Sequence, residues 1–161
     1  MSYDLSEEIF VREALPGDID EVLDLWVELQ RTNTEYDPRL TPTSQARQWM
    51  QDFLLSHLKE SHCSLFVACK GDAIIGYIFG QILQRPTLVS QRTGYIADIC
   101  VHSQFRGRGI GRRLYVRATS WFLEQNIVSI EVQVVRNNPA SQAFWRKMGF
   151  SDFLRTLQRQ I

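Results

Sequence analysis

Apolar residues recur along this chain with two different periods, and the switches between them lay out its elements. The stretch "EEIFVREA" (7–14) alternates, with Ile9 and Val11 on one side, as a half-buried strand does, and gives way at Pro16 and Gly17. Ile19, Val22, Leu23, Trp26 and Leu29 then fall on one helical face, behind Asp18 and Glu21 in the spacing of a capping box. A turn-rich interruption, "RTNTEYDPRLTPT", leads to a second helix in which Ala46, Trp49, Met50, Phe53 and Leu54 repeat at helical spacing. "SLFVACKGDAIIGYIFGQIL" predicts a hairpin joined at Lys70 to Asp72, with Gly71 supplying the turn conformation. The polar loop "RPTLVSQR" is followed by a strand, "TGYIADICVH", and by a third helix striped with Ile110, Leu114, Ala118, Trp121 and Phe122. In "IVSIEVQVV", Val128, Ile130, Val132 and Val134 alternate with Ser129, Glu131, Gln133 and Val135, which predicts a strand. Asn138 caps a short helix with Pro139 at its first position and Gly149 just past its end, and "FSDFLRTLQRQI" reads as a closing strand. The order, strand, two helices, three strands, helix, strand, helix, strand, belongs to an α+β or mixed α/β protein without a long run of βα units.

Bulk properties narrow the classes. A chain of 161 residues fits one domain with a core of its own. At 44% hydrophobic and 22% charged residues it has the make-up of a soluble globular protein, and no window is apolar enough for a membrane span. The opening "MSYDLSEEIF" is acidic and has no basic start before an apolar run, so no secretory signal and a cytoplasmic location are expected. Cys63, Cys69 and Cys100 have no CxxC spacing and the three histidines make no ligand pattern with them, which predicts reduced thiols and no metal. Eighteen basic side chains balance eighteen acidic ones, so there is no global positive field of the kind that binds nucleic acid.

Against that neutral background, "SQFRGRGIGRRL" (103–114) is a local concentration of charge, immediately after a strand and opening a helix. Gly107, Gly109 and Gly111 keep side chains away from the backbone there, and a helix start offers unpaired N–H groups to an anion. Arg106, Arg108, Arg112 and Arg113 add charge-assisted donors. The competing reading is a tight turn with solvated arginines. A Walker loop is excluded, since no Lys-Ser or Lys-Thr follows. A dinucleotide fingerprint needs GxGxxG; the last spacing here is short, and although Glu131 lies about twenty residues on, too little chain follows to complete a doubly wound sheet.

A third loop fits better. "YIADICVHSQFRGRGIGRRLY" resembles the signature of the GNAT superfamily of acetyl-CoA dependent N-acetyltransferases, whose pyrophosphate loop, (Gln or Arg)xxGx(Gly or Ala), is matched by Arg106, Gly109 and Gly111. "NNPASQAFWRKMGF" resembles the second signature of that family, an Asn before a short helix ending in Gly-Phe. The resemblance is strongest over 94–150 and implies a central mixed, mostly antiparallel sheet flanked by helices and splayed between its fourth and fifth strands after Val101. It also implies that the backbone of Ile99, Cys100 and Val101 pairs with the pantetheine arm of acetyl-CoA. The amides of Gly107, Arg108, Gly109, Ile110, Gly111 and Arg112 would hold its pyrophosphate, and Asn138 would contact it near the cleft.

The chemistry so implied is direct attack of an amine on a thioester, which needs a proton acceptor and donors for the oxyanion, plausibly the N–H of Val101, but no enzyme nucleophile. Cys100 is therefore read as a small strand residue. Glu131 and Asp98 stand in apolar runs where a carboxylate needs a reason, and they are the first and second candidates for the base, each with a structural role as the alternative. Two departures from the family pattern stand out: Gln133 occupies a position where a base is often found, and Trp145 a position where a Tyr is proposed to protonate the thiolate. They keep open a second function, an acyl-CoA sensor of the same fold. Tyr36, Asp37 and Arg39 are the candidate acceptor contacts, pointing to a small amine or a peptide amino group, and pairing of last strands would make a homodimer.

Overall fold

The computed structural model describes residues 8–161; the opening stretch 1–7, on which the absence of a leader was read, lies outside the described residues. Five strands form one sheet in the order β1 (Ile9–Glu13), β2 (Cys63–Lys70), β3 (Ala73–Gln84), β4 (Arg92–Val101) and β5 (Ile130–Val132). All neighbours are antiparallel except β4 and β5, which run parallel. A parallel pair needs a crossover, supplied by α3 (Ile110–Glu124). Helices α1 (Ile19–Tyr36) and α2 (Ala46–His57) lie between β1 and β2 in sequence, and α4 (Pro139–Lys147) follows β5. No helix among the described residues is long and apolar enough to cross a membrane.

The sheet divides the core in two, because alternate side chains of a strand point to opposite faces. On one face Val22, Leu23 and Trp26 of α1 and Leu54 of α2 pack on Leu65, Val67, Tyr77, Phe79 and Cys100. On the other, Ile110, Leu114, Ala118 and Phe122 of α3 pack on Phe66, Ile78 and Ile96, with Trp145 of α4. The hairpin between β2 and β3 turns at Gly71, whose φ is +56°.

Three expectations are corrected. Asp18 does not cap α1 with its side chain: Pro16–Asp18 forms a 3-10 turn continuous with the helix, so the carboxylate reaches back to the Leu15 N–H (2.7 Å) and to Arg12 (2.6 Å). Glu21, the other half of that box, instead accepts from the N–H of Ile74 at the start of β3 (3.0 Å). The strand expected over Val128 to Val134 is limited to Ile130–Val132, since β5 has a partner only along Gly94 to Ile96. Residues 151–161 form no strand; they are exposed throughout, because no sheet edge takes up their backbone groups and the side chains of Phe153, Leu154 and Leu157 find no core.

Candidate functional site

The site begins with an irregularity in β4. Phe79 of β3 stands opposite Asp98 and Gly80 opposite Ile96, so Ala97 is an extra residue, a β-bulge. A bulge bends its strand and breaks the alternation of faces. Ile96, Ile99 and Val101 contribute to the α3 side, whereas Ala97 and Cys100 contribute to the α1 side, which places Asp98 with Cys100 on the α1 side. The parallel pairing with β5 ends at the same point, with Ile96 opposite Val132. The two strands therefore part from Ala97 onward and not, as expected, after Val101. The segment 97–101 is bonded to β3 on one edge, and its other edge faces the gap.

Beyond β4 the chain makes a 3-10 turn, Ser103–Phe105, and then two left-handed residues, Gly107 (φ +74°) and Gly109 (φ +78°), before α3. Only glycine adopts such angles without cost, although a Cβ at either position would meet nothing within 4 Å, so conformation and not crowding calls for glycine there. The backbone N–H groups of Gly107 through Arg112 donate to no group of the protein among the described residues; the first bonded amide is that of Arg113, to Gly109 O (3.1 Å). Gly111 sits in the first helical turn, where a Cβ would lie 3.1 Å from the Phe144 ring of α4. Consecutive free amides beside a helix start are the kind of arrangement that suits an anion, and this loop is the candidate anion cradle. Arg108, Arg112 and Arg113 are exposed around it and pair with no carboxylate among the described residues. Arg106 folds inward, donating to Val101 O (2.9 Å) and to Glu28 of α1 (2.8 Å), and so ties the loop to the end of β4.

The two candidate bases have different surroundings. Glu131 accepts from Arg85 (2.7 Å), so its charge is neutralised by an ion pair. Asp98 has no hydrogen-bond partner among the described residues, and burial pushes its carboxyl up to about 6, close to the pH at which a base must work. Opposite Cys100 in β3, Tyr77 is buried with its hydroxyl unpartnered; burial and the nearby Asp98 charge push that hydroxyl well above its ordinary value. Tyr95 is likewise raised, by burial first and then by Asp98 and Glu131, and donates to Gln133 (3.2 Å). Burial pushes the Cys100 thiol up to about 12, with Glu28 adding to it. Iodoacetamide at about pH 8 is therefore expected to leave Cys100 unmodified in the folded protein and to alkylate it only in denaturant, read by peptide mass. Labelling at the rate of a free thiol would contradict this burial.

The remaining sequence candidates are placed as follows. Asn138 caps α4 by accepting from the Ser141 N–H (3.0 Å). Trp145 is 4% exposed, wedged edge-on against Tyr115, Phe144 and Phe150, and is a core residue. Asp37 and Arg39 satisfy each other through a two-point ion pair (2.9 and 2.6 Å) that holds the Asp37 carboxyl at about 2, so neither charge is free. Sequence reasoning missed Tyr77, Glu28 and Arg85. The first two sit within ordinary apolar runs, and no spacing rule connects Arg85 with Glu131; only the sheet register does.

Residues 22–150 match the Acetyltransferase (GNAT) family. The chain belongs to this family. An N-alpha-acetyltransferase of Saccharolobus solfataricus is 31% identical over 106 residues, 61% of this GNAT chain and 62% of the relative. The chain spans less than two thirds of the length of the curated relatives it matches. Among solved structures, a GCN5-related N-acetyltransferase from Ralstonia eutropha superposes with a TM-score of 0.80 at 22% identity, covering 95% of this chain and 99% of that one. A predicted acetyltransferase from Clostridium acetobutylicum, solved with acetyl-CoA, also reaches 0.80, at 18% identity and 95% and 96% coverage. These two likenesses establish the GNAT fold.

Proposed function

We propose that this protein moves the acetyl group of acetyl-CoA to a primary amine, of a small molecule or a peptide, by direct attack within a single cytoplasmic domain. The observation that carries the reading is the run of free amides from Gly107 to Arg112 at the end of a strand whose segment 97–101 is open on one edge. The amides and the surrounding arginines suit a pyrophosphate, and the open edge suits the amide-bearing pantetheine arm, which would add to it as a strand does.

Within this reading Asp98 precedes Glu131 as the base. Arg85 already stabilises the Glu131 carboxylate, whereas Asp98 meets no cation and its raised carboxyl takes up a proton readily. An ammonium that enters loses its proton to Asp98, directly or through water, and the neutral amine attacks the thioester carbonyl. The oxyanion is held by backbone N–H of the open segment, with Val101 the candidate donor. The departing thiolate needs no strong acid, because an ordinary thiol has a pKa of about 8.5, and water suffices where Trp145 offers no acidic proton. Two chains would pair, if by a sheet edge, through an outer strand, β1 or β5, and not through 151–161.

Calorimetry with acetyl-CoA and, separately, NADH is the direct test, followed by an amine panel that includes peptide N-termini. Binding of acetyl-CoA alone, with an acetylated amine by mass spectrometry, supports the proposal. Absence of acetyl-CoA binding would remove it, and binding without any acetylated product would leave an acyl-CoA sensor. A concentration-independent monomer in sedimentation would remove the dimer.

A further inference from the structure

Far from the anion cradle in sequence, the turn between α2 and β2 brings together three side chains that bind transition metals. His57 ends α2, His62 lies in the turn, and Cys63 begins β2, with one donor atom of each within 4.8 Å of the others. The spacing, a histidine followed five residues later by His-Cys, matches none of the common zinc patterns, and only the fold brings the three together. Ligand bonds of about 2.3 Å to sulfur and about 2.0 Å to nitrogen put tetrahedral donors roughly 3.5 Å apart, so the group needs to close by about 1 Å. The half-exposed His62 ring has the freedom to supply that movement.

Two further features point to a metal and not to chance proximity. The Nδ1 of His57 lies 2.7 Å from the Phe53 carbonyl, an arrangement in which Nδ1–H donates and the lone pair of Nε2 stays free. The Nδ1 of His62 faces the Glu60 carboxylate at 3.9 Å, beyond hydrogen-bonding distance, so this ring can turn either nitrogen toward an ion. Metal-bound histidines are generally held as His57 is, by a carbonyl or carboxylate on the far nitrogen. The backbone is also set in advance: Glu60 N–H donates to His57 O (3.1 Å), Cys63 N–H to Glu60 O (3.1 Å) and Ile82 N–H to His62 O (2.8 Å). The turn therefore need not be ordered by the ion.

We propose that His57, His62 and Cys63 bind one divalent cation of the zinc class, through two imidazole nitrogens and a thiolate, with water completing a tetrahedron. Binding releases the thiol proton, so affinity rises with pH. The ion clamps the end of α2 to the start of β2 and does not take part in acyl transfer. Mixed imidazole and thiolate donors exclude Mg2+ and Ca2+ as occupants.

The test uses tag-free, chelator-treated protein titrated with Co2+ by absorption and with Zn2+ against a chromophoric chelator. One equivalent of Co2+ should produce a thiolate charge-transfer band and tetrahedral d–d bands, and Zn2+ should displace it while Mg2+ does not. Loss of an outer partner of a ligand costs ten- to a hundredfold in affinity, so His62→Asn, at an exposed position, should weaken Zn2+ binding by at least about a hundredfold. Cys63→Ser should abolish the charge-transfer band, and Zn2+ should raise the Tm of the parent but not of His62→Asn. No stoichiometric binding, or binding unchanged in His62→Asn while circular dichroism shows that variant folded, would overturn the proposal. Acetyl-CoA binding is read separately, so failure here leaves the transferase reading untouched.

Discussion

Asp98→Asn is expected to lower kcat by about 10²- to 10⁴-fold, the usual contribution of a positioned base, with acetyl-CoA affinity almost unchanged. In the parent, kcat/KM should rise with pH through about 6 and then level, following the Asp98 carboxyl. The same substitution should stabilise the protein. Because burial raises this carboxyl, the folded state holds a proton between about pH 4 and 6 that the unfolded state releases, so the contribution of Asp98 to stability falls as pH rises through that window. Above it the buried charge costs on the order of 3 kcal/mol, the equivalent of about two pKa units. Asp98→Asn should therefore unfold at higher denaturant near pH 8 than the parent, and the difference should vanish near pH 4. Asp18 and Asp37, held low by Arg12 and Arg39, act with the opposite sign and at lower pH, where their ion pairs are lost. Turnover within threefold of the parent in Asp98→Asn would transfer the base to Glu131, and Glu131→Gln would then be the slow variant.

Gly109→Glu is expected to weaken acetyl-CoA binding by at least about a hundredfold, measured by calorimetry, while the far-ultraviolet circular dichroism of the sheet and helices is retained. Two effects add. A side chain at φ +78° is strained, which costs roughly 1 kcal/mol or more, and the new carboxylate brings a negative charge to a cradle that would hold one. Gly109→Ala separates them, since it keeps the strain without the charge and should bind with a smaller loss. Equal affinity in the parent and in Gly109→Glu would show that the free amides of this loop do not meet the ligand.

The glycine-rich turn that opens α3 was legible in the sequence because its signals are local. Glycines at 107 and 109, arginines around them and a helix directly after a strand are all read within a dozen residues; the structure adds that the two glycines are left-handed, that the amides from Gly107 to Arg112 are unbonded and that Arg106 turns back onto Val101 and Glu28. The order of elements along the chain was legible for the same reason, since β1 alternates and β2 to β4 are apolar runs bounded by turn residues. What escaped were consequences of register. The bulge at Ala97 comes from the pairing of two strands, and nothing in "YIADICV" marks an extra residue. The two strands part at this bulge, and it turns Asp98 onto the face opposite Ile96, with which it would otherwise share a side. The ion pair of Arg85 with Glu131 spans forty-six positions and could not be read from either residue alone. The tail failed in the opposite way: "FLRTLQRQI" has apolar residues enough for a strand, but a strand needs a neighbour, and these residues pair with none among the described residues.

The bulge has a further consequence for how this protein avoids sticking to others. From Ala97 to Val101, β4 is in hydrogen-bonding terms an edge strand, although it lies fourth of five in the sheet. Exposed edges invite foreign strands and aggregation, and proteins usually blunt them with charge or proline. Here charge does part of the blunting: the Arg106 side chain takes the Val101 carbonyl at the end of this edge, so a foreign strand finds its last acceptor already filled.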